Sequence, residues 1–185
     1  ATIPLFIGEL GSKLGSCYAD GLGVERNHAE AVKWYRKAAE GCPQHREAQY
    51  CLGESYAWGV GVEKNPVEAA NWYRKAAELD HAAAQFRLGY CYTIGQGVEK
   101  DPVEAANWYH KAAEQGDAVA QVHLGDCYAL GEGVAQSDVE AYAWFSLAAG
   151  MDEDSAKDRD ALEKKMSPQQ VADGQKRTEE LRAMI

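Results

Sequence analysis

Apolar residues recur along this chain with helical spacing. Around Leu52, the residues Ala48, Leu52 and Tyr56 are four apart and share one helical face. Gly53 lies beside Leu52 on that face. A glycine inside a helix costs about 1 kcal/mol relative to alanine, so its presence implies a gain: close approach by a neighbouring helix. After Gly59-Val60-Gly61, where glycine can take a positive φ and stop the helix, a second periodic run begins. There Ala69, Ala70, Ala76 and Ala77 keep the helix thin on two sides, and Trp72-Tyr73 supply bulk to the seams.

The whole pattern occurs four times. Leu-Gly stands at Leu14, Leu52, Leu88 and Leu124; Tyr follows at Tyr18, Tyr56, Tyr92 and Tyr128; then comes Gly-x-Gly-Val from Gly21, Gly59, Gly95 and Gly131. The second run carries Trp34-Tyr35, Trp72-Tyr73, Trp108-Tyr109 or Trp144-Phe145 and closes on an Ala pair. The steps between Leu-Gly pairs are 38, 36 and 36 residues. Such a period predicts a solenoid of helical hairpins, each burying its apolar face only with its neighbours. Every second helix has a start signal: Asn27-x-x-Glu30, Asn65-x-x-Glu68, Asp101-x-x-Glu104 and Ser137-x-x-Glu140 read as capping boxes, with Pro66 and Pro102 at the first helical position. The expected organisation is four hairpins over residues 1–150 (about 11–46, 47–82, 83–118 and 119–150) and a helical cap over 151–185. In the cap, Ser167-x-x-Gln170 opens a final polar helix that seals the stack.

The residues resemble the Sel-1-like repeat, a relative of the tetratricopeptide repeat. The pattern is Ala-x-x-x-Leu-Gly-x-x-Tyr-x-x-Gly-x-Gly-Val, followed by Ala-x-x-Trp-Tyr-x-Lys-Ala-Ala-Glu. The resemblance covers Leu14 to Gly150, and the tail is similar to those of bacterial members. It implies an all-α, right-handed α/α superhelical solenoid with first helices lining the concave side. It also implies a scaffold or adaptor role in protein complexes, in bacterial signalling, envelope and host-interaction proteins or in eukaryotic degradation machinery. One cysteine-rich branch carries a disulfide in each repeat and is linked to weak penicillin binding or β-lactamase activity. The corresponding positions here read Ala39, Ala77, Ala113 and Gln49, Gln85, Gln121, so the ladder is absent and that activity is the alternative reading.

A net charge of −10 from 19 basic and 29 acidic residues argues against nucleic acid and favours basic or neutral partners. No apolar run of about 18 residues is present to span a membrane. Nothing in the chain signals an enzyme or a cofactor: there is no Ser-x-x-Lys, Gly-x-Ser-x-Gly or His-Glu-x-x-His, and the Gly-x-Gly loops follow helices rather than strands. Five cysteines leave at least one thiol unpaired. Cys17, Cys91 and Cys127 sit at equivalent positions, too far apart to pair; Cys42 and Cys51 can pair only if the chain turns between them. Lys13, Arg87 and His123, each four residues before one of the equivalent cysteines, raise the further expectation of lowered thiol pKa values. The cysteine usage fits a reducing, cytoplasmic compartment. The chain starts at Ala1 without an initiator Met, which leaves room for export behind a removed leader.

Positions that vary between repeats point to binding. One stripe on the first helices reads Lys13, Ser16, Asp20; Cys51, Glu54, Trp58; Arg87, Tyr90, Ile94; and His123, Asp126, Leu130. The offsets i, i+3 and i+7 share a face. This stripe is the expected groove for a protein or peptide partner, with Trp58, Tyr90, Arg87 and Ile94 of hot-spot type. The competing expectation is that Trp58, Ile94 and Leu130 plug gaps between hairpins. Self-association through Leu5, Phe6 and Ile7 is a third reading.

Overall fold

The computed structural model describes residues 3–150 and 153–185, with the side chains of 3–7 and 153 outside the described set. The self-association surface expected at Leu5, Phe6 and Ile7 therefore lies outside the described residues. Ten helices and no strand occur among the described residues: α1 (Ile3–Asp20), α2 (His28–Gly41), α3 (Arg46–Trp58), α4 (Pro66–Glu78), α5 (Ala82–Ile94), α6 (Pro102–Glu114), α7 (Ala118–Leu130), α8 (Asp138–Ala148), α9 (Glu153–Glu163) and α10 (Pro168–Met184). None of them is long and apolar enough to cross a membrane. The chain divides into two compact units, residues 1–99 and 100–185.

In the first unit, α1 to α5 pack consecutively, each on the next. The hairpins form because both ends of their turns are specified. Gly59 closes α3 at φ +71° and Gly95 closes α5 at φ +70°, each in the left-handed region. Asn27 and Asn65 cap α2 and α4 by accepting from the backbone N–H of Glu30 and Glu68. The reciprocal half of the expected capping box is not made. The backbone N–H of Asn27 donates instead to the Tyr18 carbonyl at 2.8 Å, and that of Asn65 to Tyr56 at 2.9 Å. The cap residue's own donor is thus spent on closing the hairpin, which leaves the glutamate free to pair elsewhere; Glu30 takes Lys33 at 2.5 Å.

The interior glycine has a different partner from the one its sequence position suggests. A Cβ on Gly15 or Gly53 would stand 2.5 Å from ring carbons of Tyr35 or Tyr73. Each glycine seats the aromatic ring of its own hairpin's second helix, rather than admitting a helix backbone. The second loop glycine serves the stack: a Cβ on Gly61 would lie 2.2 Å from the His28 carbonyl oxygen, and one on Gly97 2.0 Å from that of Pro66. The loop of one hairpin thereby rests on the first turn of the preceding hairpin's second helix.

The second unit repeats these devices. Gly125 seats Phe145, Gly133 rests on Pro102, and Ser137 caps α8 while its N–H donates to Tyr128 at 2.9 Å. The final helix packs on α8 by the same logic: Gly174 lies under the Tyr142 ring, and Arg177 pairs with Glu140 at 2.9 Å. Here the capping box is complete, with Ser167 and Gln170 exchanging both bonds.

The positions that hold a disulfide in the cysteine-rich branch are joined by hydrogen bonds. The buried Gln85 amide donates to the Ala77 carbonyl at 3.1 Å and that of Gln121 to Ala113 at 3.2 Å. In the repeat that is longer by two residues, Gln49 donates to Pro43 at 2.8 Å. All five cysteines are free thiols. Two histidines hold one structural position: Nδ1 of His45 and of His81 caps α3 and α5, accepting from the backbone N–H of Ala48 and Ala84 at 3.2 Å, where Asp117 caps α7.

Candidate functional site

The stripe residues fall into two sets, one on each unit. In the first unit, Lys13, Asp20, Trp58, Tyr90 and Ile94 are exposed, and Ser16, Cys51, Glu54 and Arg87 are half-buried. In the second, Leu130 is exposed and His123 and Asp126 are half-buried. With Trp58 64% exposed, Ile94 48% and Leu130 68%, these side chains do not act as plugs between hairpins.

The centre of the first set is Glu54 on α3. Its carboxylate accepts from the Tyr73 hydroxyl at 2.5 Å and from Trp58 Nε1 at 3.2 Å. Arg87 on α5 engages both oxygens, with Nε 2.9 Å from Oε1 and a terminal nitrogen 3.1 Å from Oε2. Four donors therefore meet the acceptor capacity of one carboxylate. The Arg87 guanidinium also stands over the Trp58 ring, 5.9 Å from its centroid. Lys13 pairs with Glu9 at 2.7 Å, and Ser16 Oγ meets the Tyr35 hydroxyl at 3.4 Å.

Two clefts open on this face, on either side of Trp58. One, of about 220 Å³, lies among Trp58, Lys64, Tyr73, Arg87, Tyr90 and Gln96. The other, of about 270 Å³, lies among Asp20, His28, Tyr35, Cys51, Glu54 and Trp58. They occupy equivalent places in successive repeats: Trp58 in the first corresponds to Asp20 in the second, Arg87 to Cys51, and Tyr90 to Glu54.

Cys91 and Cys127 run against the sequence expectation. Burial pushes Cys91 up to about 11, and the nearby Arg87 and Arg74 charges do not reverse it. Burial, then Asp126 and Glu132, hold Cys127 at about 11. Cys51 rises to about 12 through burial and the Glu47 charge. A cation four residues away does not activate a thiol that the fold has desolvated. Burial and the Glu54 carboxylate raise the Tyr73 hydroxyl as well.

In the second unit, His123 stacks on Tyr109 at 5.1 Å, and burial lowers its pKa. Asp126 is raised by burial, then by Asp158 and Glu132. For an acid with a raised folded pKa, stability is fully present below the unfolded value and lost as pH rises through the folded one. Asp126→Asn is therefore expected to raise the melting temperature at pH 7. The gain should vanish below about pH 4, where the carboxyl is protonated in both states. Melts at pH 3.5 and 7 check this, and an equal gain at both values would refute it.

The profile of the family described as Sel1 repeat matches residues 12–41, 46–81, 82–117 and 118–152. Similar solved structures include a Sel1 repeat protein from Oxalobacter formigenes, 42% identical with a TM-score of 0.73, covering 77% of this chain and 58% of that one. Another is c5321, a protective antigen of uropathogenic Escherichia coli strains displaying an SLR fold. It is 32% identical with a TM-score of 0.63, covering 94% of this chain and 45% of that one. The Helicobacter pylori cysteine rich protein B is 26% identical with a TM-score of 0.55, covering 69% of this chain and 91% of that one. This chain thus spans less than two thirds of the first two relatives. No curated protein matches it.

Proposed function

Because the chain belongs to the Sel1 repeat family, whose members are generally protein-interaction scaffolds, we propose that it is a non-enzymatic scaffold holding a peptide or protein segment along the exposed face of α1, α3 and α5. The observation that carries this reading is the pair of equivalent clefts flanking an exposed tryptophan. A ligand that steps from repeat to repeat needs recurring recesses with aromatic anchors between them. In the second unit His123, Asp126 and Leu130 hold the same register positions and are proposed contacts there. The protonated state of Cys51, Cys91 and Tyr73 at neutral pH supports a binding role over nucleophilic chemistry.

The test compares wild type with Trp58→Ala/Tyr90→Ala in a pull-down from the source lysate, after circular dichroism has shown both to be folded. Both side chains are exposed, so the fold should survive. A partner held by wild type should lose roughly 30-fold in affinity, as expected for one or two hot-spot aromatics. Equal recovery by the double variant would move binding off this face. If no partner is captured, the scaffold reading falls. Light scattering and nitrocefin hydrolysis would then separate self-assembly from a penicillin-directed activity.

A further inference from the structure

The two clefts have the same architecture and opposite polarity. Glu54 lines the α1–α3 cleft and Arg87 the α3–α5 cleft, but the two cancel each other, and Glu54 is further satisfied by Tyr73 and Trp58. Two charges on the face have no ion pair among the described residues: Asp20 in the α1–α3 cleft and Lys64 in the α3–α5 cleft. Both are exposed. The Asp20 charge is felt at the Tyr35 hydroxyl, which also lines that cleft. Arg26, the counterpart of Lys64 one repeat earlier, does not line the α1–α3 cleft, whose lining holds no lysine or arginine. The first cleft thus offers a carboxylate with aromatic walls to a cation, and the second offers an ammonium to a carboxylate.

We propose that the segment bound here presents a basic side chain to the α1–α3 cleft and an acidic side chain to the α3–α5 cleft, with an apolar residue between them on Trp58. Neighbouring helices pack roughly 8–10 Å apart. An extended chain advances about 3.3 Å per residue, so the two charged residues stand about three positions apart. Because opposite charges are required in order along the groove, the arrangement fixes the direction of the bound chain as well as its composition. It rests on the scaffold reading above and names the ligand chemistry of that same face.

The test is selection of phage-displayed random twelve-residue peptides on wild type, Asp20→Lys, Lys64→Glu and Trp58→Ala/Tyr90→Ala. Wild type should enrich peptides with one basic and one acidic residue about three apart, flanking an apolar one. A synthetic consensus peptide should bind each charge-reversal variant roughly tenfold more weakly, since an attractive pair in a half-open cleft becomes repulsive. Reversing the matching charge in the peptide should restore its affinity, an outcome a mere folding defect cannot produce. If enriched peptides need Trp58 and Tyr90 but ignore both reversals, the charge assignment falls and the scaffold reading stands. If no peptide is enriched on wild type, both fall.

Discussion

Gly97→Ala is expected to destabilise the first unit by about 3–5 kcal/mol, and Gly23→Ala by only about 1–2 kcal/mol. The two glycines hold the same loop position and nearly the same backbone, φ +78° and +74°. An L-residue in that conformation pays about 1–2 kcal/mol in either case. The surroundings differ. A Cβ on Gly97 would stand 2.0 Å from the Pro66 carbonyl oxygen and 2.5 Å from its carbon, whereas one on Gly23 meets nothing within 4 Å. No rotamer change relieves a clash with backbone atoms, and the first turn of α4 is pinned by the Asn65 cap and by proline. The loop must leave its seat, and the stacking of α5 on α4 loosens with it. Urea unfolding followed by circular dichroism measures both losses. Equal losses would mean that the loop glycine supplies backbone conformation alone and has no part in stacking the hairpins.

This contrast also shows which features could be read along the chain. The repeat, the hairpin turns and the second-helix caps are local and periodic, so Gly59 with Asn65 marks a turn without reference to any other repeat. What a glycine faces is not local. Gly53 lies 20 positions before Tyr73, and only the hairpin's closure brings the ring over it. The capping boxes misled for a related reason: the Asn65 N–H is taken by the Tyr56 carbonyl across the turn, a bond that exists only once the hairpin has formed. His45 and His81 escaped notice as caps because histidine is not among the preferred capping residues; their shared position three residues before Ala48 and Ala84 was the available signal. At the candidate site, the stripe was visible as a helical face. The pairing of Glu54 with Arg87, 33 positions apart, depends on helices packing side by side, and it decides which charges remain for a ligand. Cys91 followed burial rather than its sequence neighbour, because desolvation in the fold outweighs the Arg87 charge on the same helix.

Gly53→Ala sets two physical effects against each other. Helix propensity alone predicts a gain of about 1 kcal/mol. Packing predicts the reverse, since the new methyl would stand 2.5 Å from two ring carbons of Tyr73, and overfilling a packed core costs about 1–3 kcal/mol or more. Packing should win here because the ring cannot retreat. Tyr73 is buried, and its hydroxyl donates to Glu54 at 2.5 Å, which is held in turn by Arg87 and Trp58. The expected outcome is a net loss of about 2 kcal/mol. Gly15→Ala should cost less, because the Tyr35 hydroxyl has only weak partners, Ser16 Oγ at 3.4 Å and the Cys51 thiol, and its ring has more freedom to shift. The displaced Tyr73 would carry Glu54 with it, so the fluorescence of the exposed Trp58 should change in Gly53→Ala even at temperatures where the variant is fully folded. Adding Tyr73→Leu should make the two losses less than additive by about 1 kcal/mol, the mark of direct contact. A stabilised Gly53→Ala would show that the ring yields freely. The link from the repeat's glycine, through its tyrosine, to the carboxylate at the centre of the binding face would then be broken.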